Sequence, residues 1–313
     1  MLDYAGLERK RNDNWICDEL IYKGNLYHYT DDVGYKGILD PHKINKERIE
    51  IPEDCIALRL TEISSTIKND NKERQHINIT VRKVANDLYT RGEVNKGFAE
   101  QVINFEPTYR DIYTITTDEI YAEFGSNIIK IGYGKIDYYV VCFSKNPNNE
   151  HIKEEFHAQK CFAFKKELSN QVEETGRIGG IKISIPEFYT RLNPYLTFQK
   201  CKLKFNFGTV IYDDFKKSEI IKNELLQRYK VYKGLSDETR KKREIEEMYA
   251  LYDAFFKNEN YCNEEEVRLV VRVPHDDSGY LEKNGIAFDG ENKKYIYIPI
   301  NKIFLINDNN DIN

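Results

Sequence analysis

Apolar positions recur along the chain with two periods, and the change from one to the other marks its elements. Leu26-Tyr27-His28-Tyr29-Thr30 is short, aromatic and β-prone, and Asp31-Asp32 directly after it predicts an N-capped helix that runs to Leu39 and stops at Pro41. Residues 2–22, before it, read as a charged lead-in around Trp15. Ile56–Thr61 repeats the β-like pattern and leads into a polar loop containing Asn69-Asp70. Ile77, Val81, Val84 and Leu88 fall at helical spacing, so residues 77–131 are expected to form a mostly helical insertion. Tyr138–Ser144 is a continuous apolar run ending on a hydroxyl, the pattern of a strand buried on both faces.

A short helix from Glu150 to Ala158 and a strand at Cys161–Phe164 follow. Residues 201–212 alternate with period two, and Ile221, Leu225 and Tyr229 mark a helix. A longer helix starts near Ser236 and carries Ile245, Met248, Tyr249, Tyr252, Phe255 and Phe256 on one face, an aromatic stripe that reads as core. From Glu264 to Val273 the alternation sets Val267, Leu269, Val271 and Val273 on one face and Glu264, Glu266, Arg268 and Arg272 on the other. Residues 295–300 and 303–306 supply two closing strands, and 307–313 read as a frayed tail. No Pro/Gly/Ser-rich linker divides residues 1–313, which are expected to form a single elaborated domain.

Charge and composition narrow the function. A net charge of −5 excludes a uniformly basic nucleic-acid coat, and 40% hydrophobic residues suffice for a core. No run approaches the ~20 apolar residues that cross a bilayer, and the start lacks the order of a secretory signal, so a cytoplasmic protein without membrane attachment is expected. Six scattered cysteines suggest reduced thiols. No metal is expected, because Cys142, His151, His157 and Cys161 match no standard ligand spacing. The Walker loop, the dinucleotide fingerprint, GxSxG and HExxH are all missing.

What remains is a pair of carboxylates two residues apart. Cleavage at an anomeric carbon develops positive charge on the sugar, which one ionised carboxylate stabilises while another orients the nucleophile. Glu264 and Glu266 on one strand face fit those roles, with Arg268 beside them. The same spacing also describes a solvated strand face, whose ion pairs are worth only ~0.2–1 kcal/mol. A lone His28 among tyrosines, or Ser144 at a strand end, carries little weight alone.

Their order adds information. A strand with His-Tyr, then one ending Phe-Ser, then one beginning Glu-x-Glu-x-Arg resembles the ADP-ribosyltransferase-like fold. More closely, the chain resembles a bacterial family of uncharacterised domains, through Tyr27-His28-Tyr29-Thr30, Leu58-Arg59-Leu60-Thr61, Asn69-Asp70, Cys142-Phe143-Ser144 and Glu264-Glu-Glu266-Val-Arg268. The resemblance spans roughly residues 25 to 306 as spaced motifs. It implies an α+β fold, a split β-sheet core with helical insertions, holding NAD as substrate and transferring its ADP-ribose to a macromolecular acceptor. Glu266, Glu264 and His28 would be catalytic, and His28, Tyr29, Arg59, Ser144 and Arg268 would bind NAD. In that scheme His28 and Glu266 converge on one crevice. Glu264 orients the acceptor, Ser144 braces the Glu266 carboxylate, and either Tyr29 or Ser144 is the second member of the triad.

Residues 200–244 carry 13 Lys+Arg against 7 Asp+Glu, an excess of +6 that leaves −11 elsewhere. Such asymmetry slightly favours a nucleic-acid acceptor over a protein one. The implied context is a bacterial toxin or antiphage effector with a neutralising partner. The alternatives are an NAD glycohydrolase and a non-catalytic nucleotide-binding module.

Overall fold

A computed structural model describes residues 20–40, 53–63, 71–105, 117–124, 127–169, 177–178, 181–182, 204–274, 287–289 and 294–306. In chain order the elements are β1 (Leu26–Thr30), α1 (Asp32–Leu39), β2 (Cys55–Glu62), α2 (Asn71–Thr90), α3 (Lys96–Asn104), β3 (Thr117–Phe124), β4 (Asn127–Ser144), α4 (Glu150–Glu155), β5 (Lys160–Phe164), α5 (Lys166–Ser169), β6 (Arg177–Ile178), β7 (Ile181–Lys182), β8 (Lys204–Thr209), α6 (Asp214–Tyr232), α7 (Glu238–Phe255), β9 (Glu266–Pro274), β10 (Ala287–Asp289) and β11 (Lys294–Asn301). Helices combined with antiparallel sheet make this an α+β fold. Pro41, the Asn69-Asp70 loop, most of the lead-in and the 307–313 tail lie outside the described residues.

The chain divides into two compact units. The first gathers the start of the chain with 67–116 and 208–262; the second comprises 22–66, 117–207 and 263–313. In the first, Phe98 of α3 meets Tyr229 and Tyr232 of α6, with ring centroids 5.2 and 5.0 Å apart. Ile245, Met248, Tyr249, Phe255 and Phe256 of the predicted stripe are buried, as core residues should be. The helix that carries them starts at Glu238, two residues later than Ser236. Part of the positive charge of 200–244 is matched inside this unit. Buried Arg228 bonds the Glu224 carboxylate and the Glu244 main chain, buried Lys217 pairs with Asp214, and Lys241 pairs with Glu238.

The second unit is built on a nine-stranded sheet ordered β10-β11-β2-β4-β1-β5, with β3, β8 and β9 attached beside that path. Asp31 caps α1 as expected, its carboxylate accepting from Gly34 N at 2.6 Å. β4 is the hub. One edge pairs with β9 from Ile136↔Pro274 to Ser144↔Glu266, whereas the other takes β2 at Tyr139 and Val140 and β1 only at Ser144. The sheet therefore forks over Val141–Phe143, between its two attachments. The core face is a continuous cluster including Leu26, Leu58, Leu60, Val141, Phe143, Phe162, Phe164, Val267, Leu269, Val271, Ile296 and Ile298.

Three segments differ from expectation. The helical reading of 77–131 holds to Asn104, but Thr117–Phe124 and Asn127–Ser144 are the antiparallel strands β3 and β4, paired from Thr117↔Lys135 to Phe124↔Asn127 with a register shift at Ile120/Tyr121. The many β-branched and aromatic residues of the two segments favour strand over helix. Residues 303–306 are not a strand: Asn301 caps a 3₁₀ turn, Lys302–Phe304, through Ile303 N, and only Leu305 bridges to Phe164. Glu264 is not on β9; it ends a 3₁₀ turn, Glu259–Glu264.

Candidate functional site

Side chains alternate along a strand and cross-strand partners share a face, so the registers sort the candidate residues without ambiguity. Leu26, His28 and Thr30 align with Phe164, Phe162 and Lys160, placing His28 on the core face. Tyr27 pairs with Ser144, and Ser144 pairs with Glu266, so these three form one row on the opposite face. Tyr29, Cys142 and Arg268 belong to that face, and so do Thr61 and Arg59 of β2 with their partners Tyr295 and Tyr297. The structure thus gathers Tyr29, Arg59, Ser144, Glu266 and Arg268 on one side of the sheet. It does not bring His28 to Glu266, and the expected convergence of the two is corrected to opposite faces. Tyr27 occupies the position on the Glu266 row that His28 was expected to take.

A buried polar network holds the start of β9. Ser144 is fully buried, and its hydroxyl donates to the Glu264 carbonyl at 3.0 Å while accepting from Asn146 N and Asn149 Nδ2. The single hydroxyl proton is directed at main chain, which corrects the expectation that Ser144 braces the Glu266 carboxylate. Asn149, 2% exposed, donates through Nδ2 to the Asn263 and Glu264 carbonyls and caps α4 by accepting from Ile152 N. Its own N–H donates to the Tyr29 hydroxyl, which in turn donates to the Asn146 carbonyl, both at 2.8 Å. Burial, the largest cause, pushes the Tyr29 phenol up to about 12, so it stays protonated and keeps that donor role. Tyr29 and Ser144 therefore serve one network.

Between Glu264 and Glu266 the chain passes through Glu265 with φ +47°, a left-handed conformation that costs a non-glycine residue about 1–3 kcal/mol. The network over-determines this turn, since Lys145 N also bonds the Glu265 carbonyl. The turn breaks the strand period between the two acids, so Glu264 ends the turn buried while Glu266 opens the strand. Asn149→Ala would remove the amide donor shared by Ser144 Oγ and the Asn263 and Glu264 carbonyls, and would leave the helix start uncapped. We expect a loss of about 2–4 kcal/mol of stability in urea unfolding. A change below about 0.5 kcal/mol would mean that the network does not hold the turn.

Glu266 and Arg268 form a two-pronged ion pair, Nε to Oε1 at 2.8 Å and Nη2 to Oε2 at 3.1 Å, with side chains only 5% and 14% exposed. A fork of this kind fixes both groups in a water-poor setting, where charge acts more strongly than at a surface.

His28 has a different part. Its Nδ1–H donates to the Cys142 carbonyl at 2.9 Å, within the interval where β1 and β2 part from β4, and its ring meets Phe143 edge-on at 5.6 Å. Burial lowers its pKa, opposed by the Cys142 hydrogen bond, so the folded protein holds it neutral to lower pH than an unfolded chain does. The unfolded state then binds the extra proton, and stability present above the ordinary histidine value of 6.5 is lost as pH falls through it. His28→Asn keeps a donor and removes the titration. The urea midpoint of this variant should fall less between about pH 7 and 5 than that of the wild type; parallel curves would refute the assignment.

Asn149 carried no sequence signal beyond an Asn before an acidic helix start, and Tyr27 stood in the Tyr27-His28-Tyr29-Thr30 motif only as the aromatic ahead of His28. Among the described residues no cluster of metal-ligating side chains gathers, and no helix is long and apolar enough to cross a membrane. Comparison with protein-family models, curated proteins and solved structures finds no match.

Proposed function

We propose that this sheet face binds NAD and that the protein breaks the bond between nicotinamide and ribose, passing ADP-ribose to a macromolecular acceptor. The observation that carries the reading is the buried Glu266–Arg268 fork, on the row that also holds Ser144 and Tyr27. NAD presents both complements of that pair: a diphosphate for the guanidinium, and a ribose carbon that becomes cationic as the bond to nicotinamide lengthens. Substrate binding exchanges one internal ion pair for two with the ligand. Arg268 turns to the diphosphate, and the released Glu266 carboxylate faces the developing sugar cation. The bonding electrons leave with the ring nitrogen, giving neutral nicotinamide. An acceptor oxygen or nitrogen then bonds the sugar carbon and gives up its proton. Tyr27 and Tyr29 offer ring faces beside this row.

The charge excess of residues 200–244 makes nucleic acid the favoured acceptor. A toxin or antiphage effector kept silent by a partner is the context such chemistry fits. Purified protein incubated with NAD, alone and with RNA, DNA or protein, tests the reading. Nicotinamide release that requires a macromolecule, with label transferred to it, is the expected result. Release with water alone assigns a glycohydrolase instead, and no release under any condition overturns the proposal.

A further inference from the structure

On the same sheet face, Arg59 of β2 is exposed, and its guanidinium lies over the Tyr295 ring of β11, 5.6 Å from the centroid. Tyr297, the cross-strand partner of Arg59, meets Tyr295 edge-on at 5.7 Å, and both rings are half-buried. Arg59 differs from the arginines that form ion pairs. Arg268 and Arg228 are tied to glutamates, whereas among the described residues no carboxylate or carbonyl accepts from Arg59. Five N–H donors held beside two aromatic rings are what a base joined to a phosphate requires: rings for stacking, N–H groups for the anion.

We infer that Arg59, Tyr295 and Tyr297 form a purine-nucleotide subsite, with the base against the tyrosines and a phosphate on Arg59. Single-stranded nucleic acid is gripped by a track of successive rings and cations. Here two rings and one cation gather, enough for one base and one phosphate, so the occupant is a single nucleotide. Purines are favoured because their larger π-face stacks more area on one ring while the other ring borders the base edge-on. The subsite extends the NAD reading by supplying its adenine end, and rests on that reading only for the identity of the whole ligand.

Binding of ADP, measured by calorimetry without turnover, tests the two independently. Wild-type protein should bind ADP more tightly than adenosine. Arg59→Gln, at an exposed position, should weaken ADP at least about tenfold and leave adenosine unchanged. Tyr295→Ala should weaken both by at least about tenfold. Circular dichroism and thermal unfolding confirm that each variant is folded. Absence of ADP binding at millimolar concentration, or wild-type affinity in both folded variants, overturns the subsite. So does an oligodeoxyadenylate that binds more than tenfold tighter than ADP and loses that advantage in Arg59→Gln and Tyr295→Ala, which assigns the patch to a polymer. ADP binding with this variant pattern but without nicotinamide release sustains the subsite and removes the enzymatic reading alone.

Discussion

Glu266→Gln is expected to lower the rate of nicotinamide release about 10²–10³-fold at saturating NAD, the range found when one preorganised group facing transition-state charge is removed. The substitution keeps the volume and one hydrogen bond to Arg268 and removes only the negative charge. In the ground state the ribose carbon is nearly neutral, so the loss should fall on kcat, with KM changing little. ADP binding should hold or tighten, because ADP lacks the nicotinamide end and Arg268 no longer has to leave a charged partner to reach the diphosphate. A variant that retains more than about a third of the wild-type rate would remove Glu266 from the chemistry. Another acid would then have to be sought, and Glu264, buried two residues earlier, is the first to test.

Arg268→Met is expected to destabilise the fold by about 3–5 kcal/mol, since it strands a buried carboxylate without its counter-charge. The carboxylate is 5% exposed and accepts two hydrogen bonds from the guanidinium, so little water stands ready to replace them. Adding Glu266→Gln to the same chain should restore most of that loss. The double-mutant cycle in urea then gives the coupling directly. Coupling below about 1 kcal/mol would show that the fork behaves as a surface pair. A strong coupling would explain why the two groups can exchange partners only when a ligand offers both charges at once.

Much of the local structure was legible because it rests on short-range physics. The aromatic run of β1, the Asp31 cap, the buried strand through Tyr138–Ser144 and the aromatic stripe of α7 follow from alternation, capping and burial that a few adjacent residues specify. The division into faces was not legible in the same way. Alternation tells which side chains within one strand share a side, but only register fixes how the phase of β1 relates to that of β9, and Tyr27↔Ser144↔Glu266 puts His28 on the wrong side. Glu264 and Glu266 looked equivalent because a period of two cannot anticipate a left-handed residue between them. Asn149 was hidden for a related reason. Its capping role is local, but its bonds to Asn263 and Glu264 join residues 114 and 115 positions apart.

The same long separations bear on how the chain is made. β4 must wait for its neighbour on the long edge: Ser144 and Glu264 are 120 residues apart, and the intervening chain includes helices that belong to the other unit. During synthesis, then, the hub strand emerges with a hydrogen-bonding edge that, among the described residues, is covered only when β9 leaves the ribosome. Such late closure predicts slow, chaperone-dependent maturation, and a nascent chain halted before Glu266 that is prone to self-association through that edge.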